Sequence, residues 1–78
     1  MNYDQIIEEI LNFAKKQKEK NHLSNYEIRI DSLMRHFKTK FPELDPRPID
    51  DMIKEIDARG WLLEHTSTMI VFDPAIFN

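Results

Sequence analysis

Residues 45–61 read Asp45-Pro46-Arg47-Pro48-Ile49-Asp50-Asp51-Met52-Ile53-Lys54-Glu55-Ile56-Asp57-Ala58-Arg59-Gly60-Trp61, a helix with both ends marked. Ile49, Met52, Ile53 and Ile56 recur at i, i+3, i+4 and i+7, which makes one apolar stripe. Asp45 is an N-cap candidate with Pro46 at the first helical position. Pro48 offers a second start, because it pushes Arg47 out of the helical region. Gly60, the one glycine of the chain, suits the left-handed position after the helix, and Trp61 then folds back on it. After Trp61 the period turns from helical to extended.

The same reasoning extends to the flanking segments. A first helix is expected over 3–20. Asn2 and Gln5 form a capping box, and Tyr3, Ile6, Ile7, Ile10, Leu11, Phe13 and Ala14 form the apolar stripe. Lys15, Lys16, Lys18 and Lys20 gather at its C-terminal end, where the helix dipole favours them. Asn21 and His22 close it. Residues 26–30 alternate apolar and polar as a short strand. Asp31 is expected to cap a second helix over 32–41 that buries Leu33, Met34, Phe37 and Phe41 and stops at Pro42. Residues 61–64 and 69–72 read as two strands joined at His65-Thr66-Ser67-Thr68, a turn without glycine. The expected core includes Ile6, Ile10, Leu33, Phe37, Ile53, Ile56 and Leu62, with Ile70 or Phe72. Ile76 or Phe77 of the tail is a candidate to pack on the body.

Helix, strand, helix, helix, strand, strand is an α+β order. Together with Ile56-Asp57-Ala58-Arg59-Gly60-Trp61-Leu62 it resembles the winged-helix family over nearly the whole chain. The resemblance implies a three-stranded antiparallel sheet, a helix-turn-helix portion between Asp31 and Arg59, and a hairpin wing. In members that bind DNA, the third helix enters the major groove and the wing touches the backbone or minor groove.

Length and composition set limits. The 78 residues make a single domain, 1–78, with one small core worth about 3–5 kcal/mol. A hydrophobic content of 41% with 32% charged residues fits a folded globular chain. Absence of cysteine excludes disulfides and thiol chemistry and points to an intracellular, cytoplasmic setting. No apolar run reaches a membrane span, and the N-terminus lacks a secretory pattern.

Catalysis finds no support, and neither does a cofactor. His22, His36 and His65 have no metal-ligand spacing and read as surface histidines. Asp50 and Asp51 point about 100° apart on a helix and do not converge on one ion. No glycine-rich loop exists to cradle phosphate, and a chain this small has little room for a pocket of ~300 Å³.

Function therefore rests on surfaces. If the resemblance extends to DNA binding, the chain is a non-enzymatic regulator. Arg35, Lys38, Lys40, Arg47 and Lys54 then contact phosphates, while Thr66 and Thr68 serve as wing contacts. Against this stand a net charge of −3 and an acidic outward face on the third helix. The alternative is a protein-interaction module using Asp50, Asp51, Glu55 and Trp61. A DNA reader this small would need a partner copy, and the first helix is the candidate homodimer element.

Overall fold

The computed structural model describes residues 1–77. Its first helix, α1, spans Tyr3–Lys20 and opens with the expected reciprocal cap. Asn2 Oδ1 accepts the Gln5 N–H at 2.8 Å, and Gln5 Oε1 accepts the Asn2 N–H at 2.9 Å. Strand β1 (Glu27–Arg29) leads straight into α2 (Ile30–Lys40). The third helix, α3, is Pro46–Ala58, so the earlier of the two possible starts is used. Asp45 caps it by accepting the Arg47 N–H at 2.9 Å. Strands β2 (Leu62–His65) and β3 (Met69–Phe72) form the hairpin, and Pro74–Phe77 ends the described chain as a 3₁₀ turn. Both neighbours of β3 in the sheet run antiparallel to it, giving the strand order β1-β3-β2. This α+β architecture has the element order and sheet expected from the sequence.

Both long-range helix ends use backbone closure. At the end of α3, the Gly60 N–H donates to Asp57 O at 2.9 Å and the Trp61 N–H to Ile56 O at 3.3 Å. Gly60 has φ of 75°. These are the two bonds of a Schellman motif, whose left-handed residue glycine occupies without a Cβ clash. At the end of α1, the Leu23 N–H reaches Lys18 O at 3.0 Å over a left-handed His22 with φ of 54°.

A single cluster forms the core. Ile6, Ile10, Ile28, Leu33, Phe37, Ile53, Ile56, Ile70 and Phe72 are its most enclosed side chains. The α1 stripe of Ile6, Ile7, Ile10, Phe13 and Ala14 is spent inside the molecule, so α1 keeps little apolar surface for a second copy. The tail packs as expected: Phe77 stacks on Tyr26 at 4.0 Å and meets Phe72 edge-on at 5.7 Å.

Several local expectations are corrected. Arg29, not Asp31, holds the N-cap position of α2 and makes no side-chain cap. The strand enters the helix without a turn, which moves the helix start ahead of Asp31. The Asp31 carboxylate instead accepts the N–H of its neighbour Ser32 at 2.9 Å. Strand β1 is shorter than residues 26–30, although the Ile30 N–H still donates to Thr68 O and Tyr26 O still accepts from the Phe72 N–H. Phe41 lies just beyond α2 and is half-buried. Trp61 belongs to the Schellman turn and not to β2. Tyr3 is 60% exposed, because it starts α1 beyond the edge of the core. Leu62 is only half-buried. A β-bulge between Leu62 and Glu64 inserts Leu63, which is 66% exposed, and lifts this end of β2 from the core.

Candidate interaction surfaces

On α3 the stripe Ile49, Met52, Ile53 and Ile56 faces inward, so Arg47, Asp50, Asp51, Lys54, Glu55, Asp57 and Ala58 are exposed. The cations there are tied to carboxylates. Lys54 Nζ lies 3.2 Å from Asp50, and Arg59 Nε lies 3.3 Å from Glu55. Both are exposed i, i+4 pairs worth roughly 0.2–0.5 kcal/mol each. The hairpin adds a third tie: His65 Nδ1 stands 2.8 Å from Asp57 Oδ2, clamping the end of β2 to the last turn of α3. Asp51 makes no ion pair among the described residues. Trp61 is half-buried beside this face, with the Arg59 guanidinium 5.0 Å from its ring centre.

The hairpin tip is built without glycine because Thr66 supplies the turn's hydrogen bonds. Its Oγ1 accepts from the Met69 N–H at 3.1 Å and from the Thr68 N–H at 3.3 Å. Its backbone N–H donates to Met69 O at 2.9 Å. The Thr66 hydroxyl is therefore engaged in closing the turn, and Thr68 Oγ1 lies 3.4 Å from it.

The basic residues of α2 divide into two groups. Arg35 and Lys38 are exposed and make no ion pair among the described residues, and Arg47 at the start of α3 shares that state. Lys38 lines an apolar groove of about 360 Å³ with Met34, Pro42, Leu44, Pro46 and Ile49. This places Lys38 beside the N-terminus of α3, so Lys38 and Arg47 share one end of the molecule. Lys40 is different. Its Nζ lies 2.9 Å from Glu9 Oε1 on α1 and 5.5 Å from the Phe41 ring centre.

Glu9 Oε1 also meets His36 Nε2 at 3.0 Å, and the His36 ring packs on Phe13 at 4.5 Å. His36 is thus part of the α1–α2 seam and not a surface histidine. Burial alone would raise the Glu9 carboxyl, but the Lys40 and His36 hydrogen bonds and charges outweigh it and hold it below its ordinary value. The Asp31 carboxyl is also lowered, first by its hydrogen bond with Arg29, against desolvation, then by the Ser32 N–H and the Arg29 and Arg35 charges. Neither Glu9 nor His36 carried a signal in the sequence, because their contacts span 27 and 31 positions. The Asp57–His65 tie joins two elements across the helix-ending turn and was likewise unmarked.

Grooves exceed the ~300 Å³ that so short a chain was expected to lack. One of about 430 Å³ runs along β1 and the C-terminal half of α1. Another, of about 560 Å³, is lined by Met1, Phe41, Pro42, Glu43 and Leu44. Among the described residues no group of histidines and acids is placed to hold a metal ion, and no helix is long and apolar enough to cross a membrane.

No protein-family model, curated protein or solved structure matches this chain.

Proposed function

We propose that this chain is a small non-enzymatic winged-helix module that docks a protein partner on the outward face of α3. The observation that carries this reading is the pairing of cations on that face. Lys54, Arg59 and His65 are each held by a carboxylate of α3, while Asp51 stays unpaired among the described residues. A helix so neutralised and slightly acidic is poorly suited to lie between two phosphate walls. The wing tip adds only hydroxyls, and the Thr66 hydroxyl is spent on its own turn. A partner with basic side chains opposite Asp50, Asp51 and Glu55, and an apolar pocket for the free part of Trp61, suits this surface.

A DNA-binding regulator is the second reading, favoured by one observation. Arg35, Lys38 and Arg47 are exposed and unpaired among the described residues, and Lys38 stands at the N-terminus of α3. Phosphate contacts there would be helped by the positive end of the α3 dipole.

Titration of labelled duplex DNA followed by fluorescence anisotropy, from low to physiological salt, separates the two. The protein-docking reading expects no binding even at the roughly 10⁻⁴–10⁻⁶ M where non-specific DNA contact is usual. Binding that weakens steeply with salt and is lost in the Lys38→Ala, Arg47→Ala double variant would replace it with the DNA reading.

A further inference from the structure

The groove at the joint of α2 and α3 stands out by what lines it. Its walls are Met34 of α2, Pro42 and Leu44 of the connector, and Pro46 and Ile49 of α3, around a volume of about 360 Å³. Lys38 is the one polar side chain among these lining residues. The groove along β1, by contrast, mixes Glu27 and Arg29 with the amides of Gln17 and Asn21. Pro42, Pro46 and Pro48 fix φ along the connector and the start of α3, so the walls are stiff before any ligand arrives. The volume falls within the ~300–1,000 Å³ usual for small-molecule sites.

The hydrogen-bonding groups of the walls leave the choice of ligand to Lys38. Pro42 and Pro46 have no N–H. The Leu44 N–H donates to Phe41 O at 3.0 Å, and Met34 and Ile49 hold theirs within helices. Asp45 stands between Leu44 and Pro46, but its Oδ1 accepts the Arg47 N–H at 2.9 Å and is turned onto its own helix. Lys38 is exposed and makes no ion pair among the described residues, so its ammonium is a free donor at the groove. A lysine so placed lays its methylenes along apolar surface and keeps one compact charge at the rim. Pro42 and Leu44 also line the groove of about 560 Å³, which adds Phe41, Met1 and the carboxylate of Glu43. The two troughs meet on those shared residues, with the cation in the first and the acid in the second.

We propose that the α2–α3 groove is a binding site for an aliphatic monocarboxylate of medium length. The carboxylate pairs with Lys38 Nζ, and the chain lies over Met34, Leu44 and Pro46 and on toward Phe41. Three features select this ligand. One ammonium matches one carboxylate through a charge-assisted hydrogen bond. The apolar walls favour burial of methylenes. Glu43, on the side that takes the tail, disfavours a second carboxylate there. This site lies apart from the outward face of α3 and does not depend on that reading.

The test is titration of octanoate, at millimolar concentrations, into the ¹⁵N-labelled full chain. Amide shifts should centre on Met34, Lys38, Leu44 and Ile49. Octanol and octylammonium should bind about fivefold more weakly, the factor expected of a partly exposed charge pair. Octanedioate and butanoate should also bind more weakly, the first because of Glu43 and the second because it buries fewer methylenes. Lys38→Glu should invert the order, so that octylammonium binds better than octanoate, and Lys38→Arg should keep the native order. Lys38 is exposed, so these variants should fold, which their unfolding midpoints check. Inversion by one substitution is a result that apolar adsorption to the surface does not give. Three outcomes overturn the proposal: shifts that are absent or centred on another groove, any of the four comparators binding as well as octanoate, or an order unmoved by Lys38→Glu.

Discussion

His22 holds φ of 54° at the end of α1, and Gly60 holds 75° at the end of α3. Both sit where a left-handed residue lets the next N–H reach back over the last turn, but one carries a Cβ and the other does not. Replacing Gly60 by alanine meets no atom within 4 Å, so its cost comes from the backbone angle alone. Gly60→Ala should destabilise by about 1–2 kcal/mol, the cost of the left-handed region for an ordinary residue. His22→Gly should do the opposite by about 0.5–1 kcal/mol, reduced by glycine's greater freedom in the unfolded chain. Urea unfolding at constant slope reads both as shifts in midpoint. An unmoved midpoint in Gly60→Ala would mean that the α3 closure does not hold the turn into β2.

At the scale of elements, α1 and α2 are joined by Glu9, which is bound by both His36 and Lys40. The Glu9 carboxyl is lowered in the folded state from an ordinary value of 4.5. Its contribution to stability is therefore complete above that value and is lost as pH falls through the lower folded value. Glu9→Gln should remove this part of the acid-side decline, seen as a flatter dependence of unfolding midpoint on pH below 4.5. Superimposable profiles for the two proteins would show that the seam does not depend on this charge. The contrast between this seam and the helix ends explains what could be read in advance. The capping box, the proline at the start of α3 and the glycine at its end act over a few residues and are written in local order. The α1–α2 contact is not local, and the glycine-free turn, whose type the sequence left open, closes on a threonine hydroxyl. Asp31 looked like a cap because strand and helix were assumed to be separated, whereas here they abut. For the candidate surfaces, the i, i+4 spacing marks the Asp50–Lys54 and Glu55–Arg59 pairs in the sequence, and both form. The pairings that join different elements, Glu9 with His36 and Lys40 and Asp57 with His65, carry no such mark. Pairing decides which charges remain available.

Across the whole molecule, the described chain ends by folding over the start of the sheet. Phe77 stacks on Tyr26 just ahead of β1 and meets Phe72 at the end of β3, tying first and last strands at one end. Phe77→Ala should cost about 1–2 kcal/mol, combining the lost aromatic contacts with partial loss of apolar burial. It should also speed hydrogen exchange across β1 and β3 before it affects α2. Uniform acceleration throughout would instead indicate that the tail stabilises the fold as one unit and does not clamp the sheet locally.

Leu63, the extra residue in β2, also bears on how molecules of this protein can accumulate. Sheet propagation from molecule to molecule needs two usable templates, so that each newcomer leaves a fresh one behind. Here the β1 side of the sheet pairs in unbroken register and has no strand beyond it, while the β2 side carries the register shift at the inserted leucine, where a bulge bends a strand. A strand that settles on the β1 side consumes the template and offers none in return. Growth by this route should then end after one step, which a fibre-forming assay on the concentrated chain would read as small species without elongation.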